Sequence, residues 1–163
     1  MVFFYRRAPP KFMLAVRLGG RSNPFFDRRQ LMDQDIIAAN LAAVEAHFHS
    51  EGTNEVDKAL ELYTDDVVWE APARKLMFKG KRAVADNYRK MFSAMKDVEF
   101  RNLDRFATED RVVDDSVVTF TLLGNGFWPL PVGGKVEMRL VHIFEMRDAK
   151  IAKEIGYEMW RPA

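Results

Sequence analysis

Val136-Glu137-Met138-Arg139-Leu140-Val141-His142-Ile143-Phe144-Glu145-Met146-Arg147 is the stretch that decides the fold. Successive side chains of a strand point to opposite faces. One face is then Val136, Met138, Leu140, His142, Phe144 and Met146, and the other is Glu137, Arg139, Val141, Ile143, Glu145 and Arg147. The first face surrounds one imidazole with five apolar groups. Such an imidazole must be hydrogen-bonded, neutral or kept for chemistry. The strand therefore predicts a sheet with an apolar inner wall and a pocket at His142.

Working outward, the pattern on the C-terminal side continues with period two. Asp148-Ala149 is a turn, and Lys150–Trp160 forms the last strand. Upstream, the Gly/Pro-rich link Gly124–Gly134 is preceded by a strand over Val117–Leu123. Val98–Phe106 with Arg111–Val113 reads as one long interrupted strand, and Asp114-Asp115-Ser116 as the turn after it. Before residue 96 the period is helical. Val84, Tyr88, Met91 and Met95 mark one helix after Gly80, and Val56, Ala59, Leu60 and Tyr63 a short one. Ile37, Leu41, Val44 and Phe48 mark a longer one that starts at Asp35, capped by Asp33 or Asp35, and stops at Ser50-Glu51-Gly52. Val67–Ala71 is a short strand ended by Pro72. Helices segregated from an antiparallel sheet give an α+β class, three N-terminal helices packed on a curved, mostly antiparallel sheet.

The chain has 163 residues, a length suited to one domain, and 13 Phe and 9 Met supply an ample core. Residues 1–34 hold seven Lys/Arg against two Asp, and the remaining 18 basic residues face 22 acidic ones. The first segment is read as a basic, disordered extension. An organellar targeting segment, translated upstream sequence and a membrane- or partner-binding arm are its alternatives. Residues 35–163 form the domain, and their mildly acidic balance argues against nucleic-acid binding. No apolar run approaches the roughly 18 residues of a membrane span. The absence of cysteine excludes thiol chemistry and fits a cytoplasmic location. No phosphate-cradling glycine fingerprint and no His-x-x-x-His spacing occurs, so neither a cofactor nor a metal is expected.

Three segments carry a family resemblance: Ala59-Leu60-Glu61-Leu62-Tyr63-Thr64-Asp65-Asp66-Val67-Val68-Trp69, Phe78-Lys79-Gly80-Lys81-Arg82-Ala83-Val84, and His142-Ile143-Phe144-Glu145-Met146-Arg147-Asp148-Ala149-Lys150-Ile151. In this order and spacing they resemble the nuclear-transport-factor-2-like (NTF2-like) superfamily and its SnoaL-like, polyketide-cyclase-like branch. The resemblance implies a cone-shaped fold enclosing an apolar cavity, and a homodimer formed through the outer sheet face. It does not imply one activity. The general base of the similar ketosteroid isomerases falls on Ala71, their oxyanion-hole tyrosine near His47 and their protonated aspartic acid on His142. The Arg-x-Asp pair of the epoxide-hydrolase type falls on Leu123-Gly124-Asn125. The histidine of polyketide cyclases falls on His142, but their aspartate falls near Gly156, between Glu154 and Glu158. Ala149 replaces the glycine usual in the last hairpin.

The candidate catalytic residues are thus His142, as general acid or base, with Glu154 and Glu158 as assistants. Alternation alone would bury Ile151, Ile155, Tyr157 and Met159 and leave both glutamates in water, whereas the resemblance turns the glutamates inward. Candidate ligand-binding residues are His47, Tyr63, Trp69, Tyr88, Met138, Phe127 and Trp128, the last two on a loop able to close the cone as a lid. The expected ligand is a small, apolar, oxygen-bearing organic molecule. Two functions remain open: cofactor-free isomerisation, cyclisation or hydration, and a non-catalytic ligand-binding or dimerisation module.

Overall fold

A computed structural model describes residues 24–52, 55–124 and 126–163, with side chains from residue 32 onward. The expected extension over residues 1–34 lies outside these as far as residue 23. From there helix α1 runs Pro24–Gly52, so Asp33 and Asp35 stand inside the helix rather than capping it. Its buried stripe is Val44, His47 and Phe48, with Ala43 beside it. Helix α2 is Val56–Glu61 and α3 is Lys81–Ser93, which buries Val84, Ala85, Asn87 and Tyr88.

Among the described residues six strands form one sheet: β1 Tyr63–Ala71, β2 Leu76–Lys79, β3 Met95–Ala107, β4 Arg111–Leu122, β5 Lys135–Arg147 and β6 Lys150–Pro162. Their order is β2-β1-β6-β5-β4-β3. The β1–β6 pair is parallel and the others are antiparallel. The α+β class and the three helices are as the sequence predicts. No helix among the described residues is long and apolar enough to cross a membrane.

Two local readings are corrected, and one strand is added. Tyr63 opens β1 instead of closing α2, because the strand runs through Thr64-Asp65-Asp66 on a bulge that shifts its register against β6 between Tyr63 and Val68. The four-residue edge strand β2 follows a 3₁₀ turn at Pro72–Arg74, with Lys75 left-handed at φ 57°. Asp114-Asp115-Ser116 is not a turn. It lies inside β4, whose inner face is Val112, Asp114, Ser116, Val118, Phe120 and Leu122. Two of those inward positions are polar, and a strand face broken by Asp and Ser looks like a turn until its partners are known.

The inner face of β5 is the one expected: Val136, Met138, Leu140, His142, Phe144 and Met146 are all buried. The hairpin to β6 turns on Asp148 and Ala149 at φ 52° and 55°, the doubly left-handed pair of a two-residue hairpin turn. An alanine there gives up roughly 1–2 kcal/mol of backbone preference that glycine would not. The register then shifts once. Met146 faces Ile151, yet Glu145 faces Lys153, so Ala152 is an extra residue on β6. Beyond it Glu154, Gly156 and Glu158 are buried while Tyr157 and Met159 are exposed.

Candidate functional site

Glu154 is the hub of the interior. It is 1% exposed, and its carboxylate collects donors from four elements. Its Oε1 accepts from Trp69 Nε1 of β1 at 3.1 Å and lies 3.3 Å from His142 Nε2 of β5. Its Oε2 accepts from the hydroxyl of Tyr63 and, at 2.9 Å, from that of Tyr88 on α3. His47 Nε2 on α1 is 3.7 Å away and is also 3.3 Å from Glu51 Oε1, one helical turn on. The two phenol oxygens are 2.6 Å apart. Gly156 is the cross-strand partner of His142. A Cβ on it would sit 3.6 Å from the imidazole Nε2, in ordinary van der Waals contact, and Glu154 reaches His142 along the diagonal beside it.

Electrostatics follow from this crowding. Burial alone would raise the Glu154 carboxyl, but the hydrogen bond from His142 and the charges of His47 and His142 hold it below the usual carboxylate range. Burial pulls His142 down, and the hydrogen bond and charge of Glu154 outweigh it, so the ring is raised above 6.5. Against the same opposition from burial, Glu51 does most to raise His47, and Glu154 adds to it. Burial, reinforced by the Glu154 charge, pushes the Tyr63 and Tyr88 hydroxyls well above 10.0, so they serve as donors.

A second cluster lies along β6. Glu158 Oε1 pairs with Arg74 Nη2 at 2.7 Å. The guanidinium carbon lies 5.5 Å from the Trp69 ring centroid and 5.2 Å from that of Trp128, a stacked arrangement that suits arginine. A third lies at the β3–β4 end. Asp114 accepts from Asn102 Nδ2 at 2.6 Å, Arg105 Nε at 2.7 Å and Ser116 Oγ at 2.6 Å. Arg105 also reaches Glu45 of α1 at 2.5 Å. Four buried carboxylates (Glu51, Asp114, Glu154, Glu158) thus meet two guanidiniums and two imidazoles, and the interior balances when both imidazoles are protonated.

A void of about 40 Å³ lies between the first two clusters, lined by Glu51, His142, Glu154 and Glu158 among polar groups and by Trp69, Tyr88, Trp128, Met138 and other apolar side chains. His142, Glu154 and Glu158 therefore meet at one place, as do Trp69, Tyr88, Met138 and Trp128. His47 and Tyr63 are fully buried and touch Glu154 without lining the void, and Phe127 is half-buried beside Trp128. Both glutamates face inward, as the family resemblance implies and against simple alternation.

The sequence reading passed over Arg74, Glu51 and Arg105, and set Asp114 aside as a turn residue. Only Glu51 left a signal, its spacing of four from His47 on a helix. His47, Glu51 and Glu154 also place one nitrogen and two oxygens within 4.8 Å of one another, the set among the described residues that could hold a cation. The absence of cysteine and of His-x-x-x-His spacing predicts no metal, and Glu154 joins this set from another element, with no spacing to mark it.

The sequence profile of the SnoaL-like domain family matches residues 41–154. No functionally curated protein matches. Among solved structures, a putative polyketide cyclase of Xanthomonas campestris pv. campestris is 18% identical, with a TM-score of 0.67 over 75% of this chain and 91% of that one. A limonene-epoxide-hydrolase-like (LEH-like) epoxide hydrolase of Mycobacterium tuberculosis is 20% identical, with a TM-score of 0.62 over 76% and 84%. A further M. tuberculosis protein, solved in complex with estradiol-17beta-hemisuccinate, is 20% identical, with a TM-score of 0.61 over 73% and 92%. At these identities the likeness carries the fold and nothing finer.

Proposed function

The chain belongs to the SnoaL-like domain family, and on that premise we propose that it binds an apolar, oxygen-bearing small molecule in its cone and moves a proton on it without a cofactor. The observation that carries this reading is the His142–Glu154 pair on the wall of the interior void. His142 Nε2 points at Glu154, so the neutral ring carries its lone pair on Nδ1, which has no protein partner among the described residues. A carboxylate behind an imidazole fixes its tautomer and stabilises the imidazolium that forms. Nδ1 then takes a proton from a carbon next to a carbonyl, the electron pair moves onto the carbonyl oxygen, and the imidazolium returns the proton. Tyr63, Tyr88 and Trp69 hold Glu154 in place for this step.

A ligand pocket usually spans about 300–1,000 Å³, far more than the void described above. Entry therefore requires the loop carrying Trp128 to swing out. Gly126 and Gly133, at φ 102° and 86°, are its hinges, positions where a side chain would be strained.

The enolisable ketone 2-tetralone in D₂O tests the reading, with deuterium uptake followed by NMR. The wild type is expected to accelerate exchange over buffer, and His142→Gln to lower the rate by roughly 10²–10⁴. The working form of the base is the neutral ring, so the rate rises with pH through the His142 pKa, above 6.5 in the wild type. Glu154→Gln removes the main group raising it, and the midpoint should move to lower pH. A wild-type rate equal to buffer would instead support a non-catalytic module with a filled cone. The small void and the fully engaged Glu154 carboxylate favour that second reading.

Dimerisation through the outer sheet face belongs to the same proposal. Tyr157 and Met159 of β6 are 48% and 68% exposed, beside half-buried Val141, Ile143 and Ile155. Sedimentation velocity is expected to show a dimer that Tyr157→Glu converts to monomer. A wild-type monomer at micromolar concentration would end this part of the reading.

A further inference from the structure

We infer that the Arg74–Glu158–Trp128 cluster is a second polar station in the cone, built for a neutral group that carries an acceptor beside a donor, such as a carboxamide or a hydroxy-carbonyl. The inference deepens the proposal above, since it rests on the cone as the binding site, but it does not rest on proton transfer by His142.

Four buried polar atoms of the cluster have no protein partner among the described residues: Arg74 Nε and Nη1, Trp128 Nε1 and Glu158 Oε2. The Arg74 side chain is 5% exposed and that of Glu158 4%, so these are not atoms turned to open solvent. Leaving such a group unpaired costs about 1–3 kcal/mol. Arg74 Nη2 is already committed to Glu158 Oε1, and the Trp69 and Trp128 rings hold the guanidinium from their faces. Trp69, Trp128, Met91 and Glu158, all in contact with Arg74, line the same void as His142. The fork therefore stands directly behind the lining of the cone, with two donors to spare.

Charge decides what they take. Glu158 neutralises Arg74, so the station has no net charge to offer an anion, and the free Glu158 oxygen repels a carboxylate. That same oxygen accepts an N–H or O–H, while the spare guanidinium hydrogens and the Trp128 indole N–H give to a carbonyl oxygen. A group presenting both, side by side, satisfies all three residues. Glu154 and Glu158 are four residues apart on one strand, about 13 Å along its axis, with Gly156 between them. A flat molecule lying over Gly156 would place one oxygen-bearing end at Arg74 and its reacting carbon toward His142.

The test compares benzamide, benzoate and toluene, titrated at pH 7 and followed by the indole N–H resonances of Trp69 and Trp128. Benzamide is expected to bind at least about tenfold more tightly than benzoate or toluene, moving the Trp128 signal. Glu158→Gln leaves Arg74 uncompensated and should reverse the order, with benzoate preferred. Trp128→Phe, which keeps the ring and removes the donor, should weaken benzamide several-fold and spare toluene. Equal binding of benzamide and benzoate by the wild type would overturn the assignment, as would no saturable binding of any of the three. Because none of these readouts involves turnover, a protein inert toward 2-tetralone can still pass, and an active one can still fail.

Discussion

Replacing Glu154 with alanine is expected to cost about 3–5 kcal/mol of folding stability at pH 7, since removing one partner strands the others of a buried charged cluster. Tyr63, Tyr88, Trp69 and His142 all lose an acceptor. The variant should also weaken the pH dependence. In the wild type both imidazoles are raised above 6.5. A raised pKa contributes stability that is complete below the unfolded value and lost as pH climbs through the folded value. Acidifying from pH 8 to pH 6 therefore stabilises the wild type. Without Glu154, burial of His142 is opposed only by the more distant charges of Glu51 and Asp114 and its pKa falls, while His47 keeps Glu51, so the same acidification stabilises the variant less than the wild type. Urea denaturation at several pH values reads both effects, and parallel pH profiles for the two proteins would contradict the hub assignment.

The second large effect belongs to Asp114. Asp114→Ala is expected to cost about 3 kcal/mol, because it removes a fully buried acceptor and leaves Arg105, Asn102 and Ser116 short of a partner. Its neighbour supplies the control. Asp115 points to the other face and pairs with Arg139, whose side chain is 43% exposed, so Asp115→Ala should change stability by no more than about 1 kcal/mol. A strand requires this asymmetry between adjacent residues, and a turn does not. Equal small losses from both substitutions would restore the turn reading and remove β4 from this part of the sheet.

Much of the fold is legible in the chain. The alternation of Val136–Met146 marks a strand with one apolar face, and the stripes Val44–Phe48 and Val84–Tyr88 mark helices with one buried side, because burial imposes the period of the backbone on the sequence. His142 stands out for the same reason, as the lone ionisable group on a greasy face. Arg74 and Asp114 do not stand out. Arg74 follows a proline in a short turn and has no period around it. Asp114 and its neighbours have the composition of a turn, and Arg105 and Asn102, on the neighbouring strand, join Ser116 in making its burial tolerable.

The sequence by itself determined the α+β class, the three helices, the inner face of β5 and the place of His142, because each depends on a local periodicity. What the tertiary structure alone decided is which face of β6 looks inward. The extra residue at Ala152 shifts the register by one, and a strand shifted by one exchanges its two faces. Ile155, Tyr157 and Met159 are turned outward by it, and Glu154 and Glu158 are brought to the interior void. A bulge arises from pairing between strands rather than from the composition of either one, so the same residues read alone would have left both glutamates in water.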